Sequence, residues 1–500
     1  MNALDLILRK LNKKQELKLR LLDPDAWGTL LSHPLLDQHD LSPVPMDAVY
    51  FDTADGALHP ADIAYRVQRE GERWTATVKG VGTSAGGLHQ RPEWTVVEED
   101  KPFPQVFAGT EAGAMLFAAV GENILLPLLE THFQRFEREL RWEDGSGILI
   151  AADRGEIRAG DARAPILELD LKLLHGHPAA LLELGSILAR DLPLLPDPQS
   201  RMHRGLVLAG LIADNQGGPS LACPLRHRDV AGDALVRLLV TQCQRALGDL
   251  SRHLAEPMDA TCFHDLRKDV RALRSFLRLA EPLDPQKHLG SWRQKLALWF
   301  HAQGPRRDRD VLAIRWAEVC AMLGEQSSLL QSYLAGGAAR GTDTETPFLG
   351  SLLLGLWATL LRHGLAGDVG LQEFTEHRCA RWDAAIQRAR KKEEDPAALH
   401  ALRIRVKNLR YALVALSPLW PSQDSKALLK TLTTLQDILG EIHDADAAAA
   451  TLHDTIVSRK SRLAYEAGIL IGWLHAGRAR HIREFRKTWV RFLAAPRPWG

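Results

Sequence analysis

The hydrophobic rhythm of this chain changes near residues 217–218. Before that point, apolar and polar residues alternate in short runs at 14–20, 64–69, 73–79, 93–97, 147–151 and 166–172, separated by Gly, Pro and Asp. Alternation with period two over five to seven residues is the pattern of β-strands. Beyond it, long Leu-, Ala- and Arg-rich segments space their apolar residues by three and four, which predicts helices. The expected fold class is therefore multi-domain α+β. An antiparallel β-barrel or tunnel with flanking helices is expected in 1–212, a linker in 213–222, and an all-α domain in 223–495.

The strand-like runs carry charge where a surface strand needs only polarity. Lys14, Glu16 and Lys18 alternate in one run, and Glu168, Asp170 and Lys172 in another. Residues at i, i+2 and i+4 share one face of a strand. Two readings follow: a solvated outer face, or a closed barrel whose charged lumen holds a divalent cation with carboxylates and phosphates with basic groups.

The helical half contains an internal repeat. The segment from His264 to Arg274 aligns with that from His400 to Arg410 at an offset of 136 residues, matching His264/His400, Leu266/Leu402, Arg267/Arg403, Val270/Val406, Arg271/Lys407, Leu273/Leu409 and Arg274/Arg410. The register persists to Gly304/Gly440, Asp308/Asp444 and Asp310/Asp446. Two pseudo-repeated halves, about 223–335 and 348–495, are expected around a Gly- and Thr-rich joint. In each copy the basic residues advance by three and four, so they form one stripe, with the Leu and Val positions on the opposite side of the helix. No carboxylate lies three or four residues away within the stripes. Like charges at i,i+4 repel by about 0.2–0.5 kcal/mol per pair, so an external anion is expected to compensate them. Metal ligation by His264 or His400 is the weaker reading, because neither has a second His or carboxylate at i+4.

Charge sharpens this division. The formal net charge of +1 hides 22 Lys+Arg against 32 Asp+Glu in residues 1–220, and 41 against 30 in 221–500. The basic half is suited to an anionic partner. With 45% hydrophobic and 25% charged residues the composition is that of a globular protein. The longest apolar stretch, 351–361, is too short to span a bilayer. The five cysteines lie in the second half without a C-x-x-C pair, against a disulfide framework or zinc site. With no secretory-type leader, a cytoplasmic location without membrane association is expected.

The first 210 residues resemble a CYTH domain, the triphosphate-tunnel fold of inorganic and thiamine triphosphatases and class IV adenylate cyclases. The resemblance rests on Tyr50-Phe-Asp-Thr53, Arg66 and Arg69, Lys79-Gly80, Arg91 and Glu93, Asp153-Arg-Gly-Glu-Ile157, Glu168-Leu-Asp170, Ser200-Arg201 and Arg204-Gly205. It implies a phosphate-binding set of Lys18, Arg66, Arg69, Lys79 and Arg138, and an incomplete Mg²⁺ or Mn²⁺ set of Glu16, Asp153, Glu168 and Asp170. The family's opening E-x-E-x-K motif reads Lys14, Glu16, Lys18 here. An ammonium replaces the first carboxylate and opposes metal binding. Catalysis is accordingly expected to be weakened or lost, and no catalytic residue is assigned.

The region from about Cys223 to Arg491 resembles a CHAD domain, through two copies of H-x-x-R-x-x-x-[RK]-x-x-R and the G-x-x-[RH]-D-x-D segments at Gly304 and Gly440. That family is associated with inorganic polyphosphate. The resemblance implies a basic groove between the helical repeats, built from His264, Arg267, Arg271, Arg274, His400, Arg403, Lys407 and Arg410, which binds polyphosphate or another linear polyanion. It also implies association with polyphosphate granules. A metal-dependent triphosphatase whose helical domain recruits polyphosphate is the alternative. Nucleic acid is a weaker partner, because no Trp or Tyr occupies the stripe positions, as single-strand stacking would require.

Overall fold

The computed structural model describes residues 14–36, 42–213, 225–255, 260–302, 304–324, 328–336, 345–390, 395–420, 422–457 and 462–499. The chain packs as two compact units. One comprises Met1–Ala222, Leu239–Asp269 and Glu345–Gly364; the other comprises Cys223–Leu238, Val270–Thr344 and Leu365–Gly500.

The first unit is built on an antiparallel sheet. Its strands are β1 (Lys14–Leu21), β2 (Val44–Thr53), β3 (Ala64–Glu70), β4 (Arg73–Lys79), β5 (Thr83–Ala85), β6 (Leu88–Arg91), β7 (Glu93–Glu98), β8 (Leu125–Arg141), β9 (Gly147–Ala159), β10 (Ala162–His175) and β11 (Leu194–Pro196). The hydrogen-bonded order is β5-β6-β1-β10-β9-β8-β2-β3-β4-β7, with β11 on β1. This sheet is curled, and its hydrogen bonds alone do not close a ring. The closure is covalent: β6 and β7 flank Pro92, so one stretch of chain pairs with β1 through Lys14↔Arg91 and Glu16↔His89, and with β4 through Lys79↔Glu93. Proline has no N–H for a ladder, so the strand changes partner there, and the Pro92 carbonyl accepts from Gly80 N at 3.1 Å.

Two short helices, α1 (Trp27–Leu31) and α2 (Glu111–Val120), and the longer α3 (Ala179–Asp191) flank the sheet. Helix α4 (Arg201–Leu208) is capped by Ser200, whose Oγ accepts from His203 N. Its Met202 and Leu206 pack with Met46, Ala48, Leu129, Phe133, Ile157 and Ile166. Cross-strand partners share a face, and the registers place these sheet residues on the face that also carries Lys18 and Asp170. One stretch of the lumen is therefore apolar and filled by α4, while the rest is charged.

The helical segments are α5 (Ala231–Ala255), α6 (Ala260–Ala280), α7 (His288–Ala302), α8 (Gly304–Leu323), α9 (Leu329–Gly336), α10 (Glu345–His363), α11 (Leu371–Ala389), α12 (Pro396–Leu416), α13 (Ser422–Val457) and α14 (Arg462–Ala494). The β-rich first part and the helical second part match the expected fold class. No described helix is long and apolar enough to cross a membrane.

The apolar stretch at 351–361 forms the centre of α10, buried from Ser351 to Ala358. Within the first unit, Ser186 and Ser351 exchange hydroxyl-to-carbonyl hydrogen bonds at 2.9 and 2.7 Å. Arg362 forks onto Glu183 at 2.5 and 2.7 Å and reaches Asp144 at 2.8 Å. Ser251 of α5 donates to the Pro196 carbonyl at 3.1 Å.

Two predictions follow from this packing. Gly155 lies where β8 crosses β9; a Cβ there would collide with the His132 carbonyl and lie 2.5 Å from Phe133 Cα. Gly155→Ala should cost at least about 3 kcal/mol in chemical denaturation, because backbone cannot give way. Gly28→Ala, with nothing within 4 Å of its Cβ, should be near neutral. Deleting residues 1–213 strips the cover from α10 and the second half of α5. The remaining fragment should melt without cooperativity or aggregate, by circular dichroism and size exclusion; a cooperative melt at the full chain's temperature would contradict the packing argument.

Candidate functional site

The charged part of the lumen is lined from all around the curled sheet. Lys14, Glu16 and Lys18 come from β1, Tyr50 from β2, Arg66 from β3 and Lys79 from β4; His89, Arg91, Glu93, Arg135, Asp170, Lys172 and Arg201 complete the wall. Cations outnumber carboxylates. The parity of the strands explains which expected residues arrive. Lys18, Arg66 and Lys79 line the pocket. Arg69 pairs across to Trp74 on the opposite face, is exposed, and stacks over that indole at 6.0 Å. Arg138 likewise faces away from the lumen, with Nη1 at 3.4 Å from the Pro34 carbonyl. Arg135, three residues earlier and opposite Asp153, occupies the lumen. The β8–β9 register was the missing signal, and a sequence alone does not display it.

The expected metal set is brought together, but every member is engaged. Asp153, fully buried, accepts from Arg135 Nε at 2.8 Å and Nη2 at 2.7 Å, and also from Arg201. Glu168 accepts from Arg201 Nε at 2.9 Å and from Arg204. Asp170 accepts from Lys18 Nζ at 2.9 Å, and Glu16 lies 3.7 Å from the same ammonium. Burial alone would lower Lys18, but Asp170, Glu16 and Glu168 together raise it above the ordinary lysine range. Burial would raise Glu16, yet Lys18, Lys172 and Lys79 hold it well below the carboxylate range. Glu93 is opposed by burial but brought down to about 2 by Lys79, Arg66 and Lys14.

The CYTH-type lumen implies a divalent cation, but these donors do not make its site. Oxygen ligands must be free to face the ion, whereas each carboxylate here faces an arginine or lysine. Among the described residues no group of three or more His, Cys, Asp or Glu side chains could hold a metal ion. What the lumen presents is cationic surplus. Lys172 is lowered by burial and by Arg135, against attraction from Glu16 and Asp170. Tyr50 has its phenol lowered against burial by Arg66, Arg201 and Lys79. His89, its Nε2 3.1 Å from the Asp197 carbonyl, is brought to about 4 by burial and Lys18. At neutral pH this wall is built to receive anionic oxygens.

The basic stripes lie on α6 and α12 as the periodicity predicts. On α6, His264 is exposed, while Arg267 is buried with its guanidinium 5.7 Å from the Phe263 ring. In the second unit, Arg271 and Arg274 share one aromatic support, lying 5.5 and 5.6 Å from the Phe300 ring of α7. Burial and Arg293 lower Arg274. On α12, Arg410 lies 4.5 Å over Tyr411 and donates to Gln436 at 2.7 Å. Arg403 lies about 4 Å from where a Cβ on Gly440 would be. Ser275 Oγ and Asn408 Oδ1, 2.9 Å apart, join α6 to α12. Aromatic rings thus accompany the stripes although none occupies a stripe position; each supports a guanidinium. The side chains of Asp308 and Asp310 lie outside the described residues. Asp446 pairs with Arg478 at 2.8 Å.

Comparison with known proteins agrees with both resemblances. The CYTH domain family matches residues 12–206 and the CHAD domain family matches 235–453. An inorganic triphosphatase of Haemophilus influenzae is 27% identical over 161 residues, 32% of this chain and 44% of that protein, so this chain spans less than half of that curated relative. The CHAD domain of the plant Ricinus communis aligns at 22% identity and TM-score 0.42, over 56% of this chain and 96% of that one. PptA from Streptomyces chartreusis aligns at 16% and 0.41, over 52% and 99%. The chain carries a CYTH domain followed by a CHAD domain.

Proposed function

We propose that this protein binds inorganic polyphosphate through the basic stripes of α6 and α12, and that its lumen holds phosphate groups with little or no metal-dependent turnover. The observation that carries the first part is the way the stripes are supported. Arg271 and Arg274 rest on an aromatic face, so their positive charge remains available to an external anion, whereas an ion pair would cancel it. Repetition of the stripe on α12 suits a ligand that repeats its own charge along its length, such as a chain of phosphates. Internal phosphates carry one charge each and no base to read, which fits stripes whose aromatics lie beneath arginines.

In the lumen, Arg66, Lys79, Arg91 and Lys172 would hold phosphate oxygens, and the ion pairs around Asp153 would keep Arg135 and Arg201 in place. Hydrolysis of a phosphoanhydride needs the developing charge neutralised and a water activated. The engaged carboxylates provide neither a metal site nor a free base. A triphosphatase is the second reading, favoured by the Haemophilus relative's name.

Two measurements test these readings. The full chain should bind long-chain polyphosphate with an affinity that falls steeply as salt is added. Arg271→Ala with Lys407→Ala should weaken binding at least about tenfold, at about 1.5–3 kcal/mol per charge-assisted contact. Arg388→Ala with Arg405→Ala, exposed cations off the stripes, should change it by less than about threefold; equal losses would indicate a diffuse basic surface. Arg362 is unsuitable as a control because of its bonds to Glu183 and Asp144. For the lumen, Mg²⁺ or Mn²⁺ should give little tripolyphosphate hydrolysis in wild-type protein, and Lys14→Glu should raise metal affinity in calorimetry. Robust metal-dependent hydrolysis abolished by Glu168→Ala would establish the enzyme instead.

A further inference from the structure

We infer that His443 joins His400 in the polyphosphate site as a proton-accepting pair, so that binding the polyanion draws a proton onto the pair and affinity rises as pH falls. This deepens the polyphosphate reading of α12 and rests on it. His400 stands one turn before Arg403 on α12, and His443 comes from α13. Their Nδ1 atoms are 3.2 Å apart and their ring centroids 4.4 Å apart, with the planes at 43°. Two ring nitrogens this close are compatible with one shared hydrogen, one ring donating and the other accepting. The pair can be neutral or carry one positive charge. A second proton would point two N–H groups at each other.

The surroundings oppose even the first charge while the site is empty. Arg403 and Lys407 stand on the same helix, and exposed His301 approaches from α7; burial first, then His443, Arg403, Lys407 and His301, hold His400 below the ordinary histidine range. On α13, Glu441 turns to Arg315 and Asp446 to Arg478. Asn408, where α6 meets α12, is neutral. With these groups around it, the relief available to the pair is an external anion.

The sign follows from linkage. A polyanion laid on this stripe raises the pair's proton affinity above its depressed free value. Between the free and bound values the complex holds more protons than the free protein, so affinity increases as pH falls and levels off below the free value. Internal phosphates stay singly charged throughout this range, so long chains contribute little proton uptake of their own. A metal role is not supported, since no third His, Cys, Asp or Glu joins the pair among the described residues.

The test is calorimetric titration of the full chain with long-chain sodium polyphosphate in EDTA at about pH 6, 7 and 8 and constant ionic strength. Two buffers of different ionisation enthalpy count the protons. We expect affinity to rise by up to about tenfold per pH unit within the window, with uptake approaching about one proton. His400→Asn and His443→Asn, separately, should flatten the dependence to below about threefold while binding at about pH 8 persists. His475→Asn, exposed on α14, should keep the wild-type slope. If both pair variants keep that slope, the inference fails while polyphosphate binding stands; if wild-type protein binds no polyphosphate at any pH, the underlying reading fails with it. Should the variants not fold, the wild-type proton count decides: about one supports the pair, none overturns it.

Discussion

The first unit depends on cancelling charge that cannot reach water. Asp153 is completely buried, and an isolated carboxylate in such a place would not remain ionised. It does so because Arg135 grips both oxygens and Arg201 adds a third bond. Arg201 also bonds Glu168 and lies 3.5 Å from Asp170, so one guanidinium from α4 ties β9 to β10. Removing any partner would leave an uncompensated buried ion, the costly half of a buried salt bridge. Helix α4 must therefore dock for the lumen to exist. By docking, it also fills the apolar stretch with Met202 and Leu206.

The stripes solve the opposite problem. Their function requires charge that is held in place without being neutralised. Aromatic faces provide this: Phe300 supports two guanidiniums, and Tyr411 supports Arg410 beside a neutral Gln436. The two halves have diverged in their means. The second copy adds His443 against His400, while position 307, the counterpart of His443 at the repeat offset, is arginine. The repeat conserves a pattern of charge more closely than it conserves the groups that position it.

The two family domains are not the two compact units. Helix α10 and the second half of α5 fall within the CHAD-matched residues, yet they pack in the unit that contains the curled sheet. A helix buried on every side needs cover all round. Within the first unit α10 finds part of it against α3, with the Ser186–Ser351 exchange and the Arg362 fork fixing the register. His264 and Arg267 belong to this same unit, whereas Arg271 and Arg274 follow on the same helix in the other.

Periodicity was enough to reveal the strands, the helices, the duplicated stripes and the charged alternation of β1 and β10, because each is a local property of backbone geometry and of which residues share a face. Lys18, Arg66 and Lys79 could be placed in the lumen, and the eight stripe residues on their helices, from spacing and family resemblance. Pairing register decided the rest. A strand's two faces look alike until its neighbours are known, so Arg69 and Arg138 fell outside while Arg135 fell inside. The engagement of Asp153, Glu168 and Asp170 likewise depends on cations from strands and a helix distant in sequence. His443 meets His400 across 43 residues. Local sequence determines what each element offers; only tertiary packing decides which charges are neutralised, because electrostatic energy depends on distances between groups that the chain brings together from far apart.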